Sequence, residues 1–259
     1  MKIYGCDFSG ARDPESKIFV TVGELREHRL EICEISHCEE RLDLFQYIVE
    51  SKAAWGLDFP FSIPENYLRK FFEGSWETYI HAPYDRKSFL ERFGRIRHSA
   101  KDRSIFRETD LAVQGKSPIS STPIAMLNML YGGRKLLKYL LKMKQACIYP
   151  FTELNLQVSR VYEVYPSHTW QVMNFSRKHY TLRQISDWFG ERDFRVTFPR
   201  ALEGAPLTED QSDSLIACVT MGYCIWKYSV DSDWNRKPVF ATDAEWQKRS
   251  AEGITLRIN

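Results

Sequence analysis

One carboxylate near the start constrains this chain more than any other residue. In KIYGCDFSG, residues 2 to 10, Asp7 sits where a short apolar strand runs into a Ser-Gly turn. An ionised Asp among apolar neighbours is costly to bury unless a positive group answers it. No Lys or Arg follows until Arg12, a candidate substrate-binding residue. Whatever the chain folds into must therefore bring something to Asp7.

Other acids stand at comparable places. AAWGLDFPFSIP (53–64) reads as a strand apolar on both faces, hence central and parallel to a neighbour, and it carries Asp58 just before Pro60. SRVYEVYPSHTW (159–170) reads as another strand, with Glu163 among apolar residues and Pro166 stopping it. LTEDQSDSLIACVTMGYCIWKY (207–228) is a long helix opened by Thr208, a good N-cap, with acids in its first turns. Asp210 and Asp213 lie three apart, on one helix face.

Strand-end acids and an acidic helix face packed on the same sheet converge. Mg²⁺ and Mn²⁺ take hard oxygen ligands of this kind. Two such ions about 3.5–4 Å apart activate water and stabilise the leaving oxygen in phosphodiester cleavage. The expected catalytic set is Asp7, Asp58, Glu163, Asp210 and Asp213, with Asp7, Asp58, Glu163 and Asp213 as metal ligands. Each acid also has a plainer use: a turn former in the case of Asp7, a solvated first helical turn for Asp210 and Asp213.

The remaining pattern is that of one α/β domain over 1–259. Strands at 17–25 and 29–35 complete an antiparallel meander with the first, and a helix covers 39–51. Residues 65–145 read as a helical insertion carrying substrate contacts. It holds short helices, a loop over 115–123 and an amphipathic helix over 122–145 interrupted at Gly132-Gly133. A short strand, ACIYPF, follows. Helices at 167–174 and 181–189 and a closing edge strand in EGITLRIN end the series.

Net charge is only +2, but it is uneven. Residues 86–107 carry Arg86, Lys87, Arg92, Arg95, Arg97, Lys101, Arg103 and Arg107 against Glu91 and Asp102. RKLLKYLLKMK (134–144) has five basic residues and no acid. Such stretches grip phosphates, with Phe89, Phe93 and Phe106 placed to stack bases; a solvated helix face is the alternative. His168, two residues after Pro166, is a candidate proton donor or phosphate contact. No apolar run is long enough to span a bilayer and the N-terminus lacks a signal pattern, so the expected compartment is the cytoplasm with no membrane partner. The six cysteines then read as reduced thiols, and Cys33, His37 and Cys38 are poorly spaced for zinc.

GCDFSGA, WGLDFPFSIP, FRETD, RVYEVYPSHTW, DQSDSLIAC and the terminal AEGI resemble, in that order, the domain-of-unknown-function 429 family, classed as nucleases of RNase H-like fold related to Holliday-junction resolvases. The resemblance implies a mixed sheet of three antiparallel strands followed by helix–strand units, with the metal site at its centre. It equates Asp7 with the first-strand acid, Asp58 with the acid on the strand after the first helix, and Asp210 and Asp213 with the acidic pair on the last helix. Glu163 matches an E-x-x-P strand that typical RNase H enzymes lack. Arg107 and Asp110 match an R-x-x-D element that either binds phosphate or pairs internally. The expected function is a Mg²⁺- or Mn²⁺-dependent nuclease acting on DNA or RNA. The alternatives are a phosphotransferase or ATPase of the actin-like and sugar-kinase fold, for which CDFSGA has the look of a phosphate hairpin, and a non-catalytic nucleic-acid-binding relative.

Overall fold

The computed structural model describes residues 1–11, 17–94, 102–120, 124–202, 204 and 206–259. Arg12 lies outside them, as do Arg95, Arg97 and Lys101 of the first basic stretch.

The chain begins with β1 (Lys2–Asp7), β2 (Ile18–Arg26), β3 (Arg29–Cys38), α1 (Arg41–Ser51) and β4 (Ala54–Asp58). Five helices follow: α2 (Glu65–Phe72), α3 (Trp76–His81), α4 (Arg86–Gly94), α5 (Glu108–Ala112) and α6 (Ala125–Met143). Then come β5 (Ala146–Ile148), β6 (Ser159–Val164), α7 (Pro166–Met173), α8 (Leu182–Gly190) and β7 (Arg195–Thr197). The chain closes with α9 (Glu209–Tyr228), α10 (Asp243–Glu252) and β8 (Thr255–Leu256).

The strands form one mixed sheet ordered β5-β6-β4-β1-β2-β3-β7, with β8 pairing beside β6. β2 runs against β1 and β3, while the β1–β4, β4–β6, β3–β7, β5–β6 and β6–β8 pairs are parallel. The expected meander and the α/β class are therefore present, in a layout compatible with an RNase H-like sheet.

Strand alternation divides the core into two layers. Tyr4, Cys6, Trp55 and Leu57 face the layer that holds α1 and helices of the 65–145 region. Ile3 and Ala54 face the layer of α7, α8 and α9. Ser212–Cys224 of α9 is buried all round, because the sheet takes one side and α7 packs on another. Gly5 lets α9 come this close: a Cβ there would lie 2.0 Å from the Cys218 backbone nitrogen. The helix is thereby pinned over β1.

Several sequence expectations are corrected. The helix over 122–145 is not broken at Gly132-Gly133, since α6 runs through both. The glycines are instead a seat for two rings: a Cβ at 132 would meet the Phe8 ring at 3.3 Å, and one at 133 the Phe59 ring at 2.2 Å. Other expectations hold: the strand read in 53–64 ends at Asp58, as Pro60 implies. The strand that Pro166 is read to stop ends at Val164, and Pro166 itself opens α7 as its first residue, where its missing N–H costs nothing. Phe89 and Phe93 are fully buried and unavailable for stacking on bases. Arg134 is buried too, donating to the carbonyls of Tyr79, Ile80, Ala82 and Tyr84 at the C-terminal end of α3. A cation there satisfies carbonyls that have no partner in the helix.

Outside the 65–145 region, two elements were not expected. β7 has three residues, too few for a readable alternation. α10 does carry a legible signal, a Thr242/Glu245 capping box. Its Glu252 ties the 65–145 region down, accepting the backbone N–H of Glu65 at 2.8 Å and of Glu108 at 2.7 Å. One carboxylate thus caps the first turns of α2 and α5. The six cysteines are free thiols, and all but Cys33 are buried. Among the described residues no helix is long and apolar enough to cross a membrane.

Candidate metal centre

β1 and β4 pair in parallel with Asp7 directly opposite Asp58. Each aspartate follows a glycine by two residues, Gly5 and Gly56, and those glycines are also paired. Both acids therefore project from the same sheet face, the one under α9. The two strands share a G-x-D-F pattern, GCDF and GLDF. In each, the glycine admits α9 on one face and the phenylalanine docks on the α6 glycines from the other. Shared spacing in two strands was the legible sign that these two acids would be neighbours.

α9 supplies the third acid. Thr208 caps it and Asp213 lies just beyond the first turn, over the ends of β1 and β4. Carboxylate oxygens of Asp7, Asp58 and Asp213 all lie within 4.8 Å of one another. No other trio of potential metal ligands comes together among the described residues. Cys33, His37 and Cys38 accordingly form no such group.

At this spacing two full negative charges repel by about 3 kcal/mol at an effective dielectric of ~20. The acids respond as expected. Burial, then Asp213 and Asp210, push the Asp7 pKa up to about 8, with Arg177 opposing. Burial, Asp7 and Asp213 push that of Asp58 well above the carboxylate range. Asp213 is raised by burial less freely, because Arg177 pairs with it at 2.9 Å and the Trp170 indole N–H donates to it at 2.7 Å. Asp213 is thus held in position by two partners while Asp7 and Asp58 face each other.

The three acids line a cavity of about 530 Å³. Ser9, Gly10 and Ala11 of the turn after β1 border it, as do Asp210, Arg177 and Lys116. The donor set fits a divalent cation such as Mg²⁺ or Mn²⁺: it is all oxygen, anionic, partly open, and unneutralised by Arg177 alone.

The other expected site residues are placed differently. Asp210 lines the cavity and its charge helps raise the Asp7 pKa, but it is not one of the clustered three. Glu163 pairs with Leu57, one residue short of Asp58, so alternation turns it to the opposite sheet face. There Arg107 donates to it at 2.6 and 2.8 Å, the Phe61 N–H at 2.8 Å and the Thr255 hydroxyl at 2.8 Å. Arg107 in turn makes a two-pronged contact with Asp110, at 2.6 Å for the closest pair. Arg107 is 2% exposed and its guanidinium is taken up by Asp110, Glu163 and the Glu252 carbonyl. Its R-x-x-D element pairs internally, at the cavity wall. His168 does not line the cavity; its Nε2 lies 3.2 Å from the Ile258 carbonyl, and burial lowers its pKa.

Sequence reasoning missed Arg177, the cation that answers the cluster. It sits in the SRKH connection after α7, and nothing in that tetrapeptide signals its partner.

Comparison with protein-family models, with curated proteins and with solved structures finds no match to this chain. The family resemblance therefore rests on the ordered motifs alone.

Proposed function

We propose that this protein is a Mg²⁺- or Mn²⁺-dependent nuclease of RNase H-like fold. The observation that carries the reading is the convergence of Asp7, Asp58 and Asp213 within 4.8 Å at the ends of two paired parallel strands. Those three residues would hold the ion, and Asp210, one turn away on α9, is the nearest further acid for a second one. A bound dication supplies a lowered pKa for attacking water and stabilisation of charge on the phosphate. The chain's own part is geometric. Gly5 sets the height of α9, Trp170 and Arg177 hold Asp213, and Arg177 at the rim offers a phosphate contact once Asp213 turns to the ion.

The test is cleavage of labelled single-stranded DNA and RNA with Mn²⁺ or Mg²⁺. Activity is expected in the wild type, lost in EDTA and lost in an Asp7→Asn, Asp213→Asn double variant. Undiminished cleavage by the double variant rejects the assignment.

One observation favours a second reading, nucleotide-dependent phosphotransfer: the Ser9-Gly10-Ala11 turn borders the acid cavity. Thermal stabilisation by ATP, with no effect of oligonucleotides, would select it.

A further inference from the structure

A second cavity, of about 1150 Å³, adjoins the first. It lies past the C-terminal end of β7 and beside the N-terminus of α9. β7 is parallel to β3, and β3 runs in the same direction as β1 and β4. Both cavities therefore open at the same edge of the sheet, and Arg177 lines both.

Their linings differ in kind. The first is rich in acids. The second carries Arg177, Lys178 and Arg183 against Glu209, its one acid among the described residues. Its wall includes Leu182, Phe198 and Leu207. Apolar side chains on its wall and cations at its mouth match a flat heteroaromatic ring with an attached phosphate. The volume accommodates such a group.

The geometry points to this cavity as the seat of a nucleoside unit of a single-stranded nucleic acid, with Arg177 and Lys178 on the phosphate that links it to the acid site. The inference rests on the nuclease reading and extends it, by naming where the strand runs away from the aspartates. Arg177 is then the joint: it pairs with Asp213 on one side and borders the nucleoside slot on the other.

The test needs no catalysis. A fluorescein-labelled single-stranded hexanucleotide carrying 5-bromouracil is bound in EDTA, irradiated, and its crosslink located by mass spectrometry. Crosslinks are expected within 177–207. Phe198→Ala and Lys178→Glu should each weaken binding about tenfold, while Lys52→Glu, exposed at the opposite edge of the sheet just before β4, leaves it unchanged. Lys178 is 70% exposed, so its variant keeps the fold even should Phe198→Ala unfold. Crosslinks confined to other segments, together with unchanged affinity of Lys178→Glu, overturn the assignment. Uridine monophosphate competing at the hexamer's own concentration overturns the strand as ligand. The two readings fail separately: hexamer bound here without cleavage under any metal removes the nuclease, whereas metal-dependent cleavage with crosslinks elsewhere removes the slot.

Discussion

Two groups of acids border one cavity, and they differ in what faces them. On the α9 side, Asp7, Asp58 and Asp213 face one another, and Arg177 touches only the last. On the opposite side of the sheet, Asp110 and Glu163 are joined through the buried Arg107, and Glu163 also accepts from Phe61 and Thr255. The second group is satisfied without help. The first keeps repulsion that Arg177 offsets only in part and that protons or a dication can relieve. Burial alone does not separate the two groups; how many cations face their carboxylates does.

The largest expected effect breaks the satisfied group. Arg107→Ala leaves two buried carboxylates without their cation and should lower stability by about 3–5 kcal/mol, read by urea denaturation. Arg107→Lys should recover little of it, because one ammonium cannot make the paired contacts to both acids. A nearly neutral Arg107→Ala would erase the contrast between the groups.

A smaller and opposite effect is expected in the other group. Asp58→Asn removes one of the mutually repelling acids, which the folded state otherwise has to protonate, so the metal-free protein should gain on the order of 1 kcal/mol at pH 8. The same variant should lose the rise in melting temperature that Mn²⁺ gives the wild type. Destabilisation by Asp58→Asn, with Mn²⁺ stabilisation kept, would show that the carboxylate is structural.

A third test sharpens the comparison through pH. The Asp7 pKa stands at about 8 in the folded chain and at about 3.9 when unfolded. Between those values the folded state holds a proton that the unfolded state has released. Metal-free stability contributed by Asp7 therefore falls as pH rises from about 4 to about 8. Mn²⁺ replaces the proton, so it should raise the melting temperature more at pH 8 than at pH 5. An equal rise at both would detach the ion from these acids.

Much of this was legible. Strand and helix periods located the meander, α1, β4, β6 and α9; the interruption of apolar strands by acids singled out Asp58 and, with it, Glu163, while Asp7 stood out at the end of the first strand. Parity could have gone further. Gly5 and Gly56 each precede an aspartate by two, and two positions along a strand share a face. The illegible part was partnership. Phe89 and Phe93 looked like stacking surfaces and became core. Arg134 looked like a phosphate grip and closes the end of α3. Gly132-Gly133 looked like a break and receives Phe8 and Phe59. Each outcome depends on a segment far away in the chain.

By itself, then, the order of residues determined where strands end, where α9 begins and that acids stand at those points, because local periodicity and capping are read over a few neighbours. Only the tertiary structure decided which acids meet. Register set Asp7 against Asp58 and turned Glu163 to the other face, and packing gave Arg107 to one group while leaving the other short of cations. Coulomb forces act across space, so the unpaired charge that defines the site exists only once distant segments have been brought together.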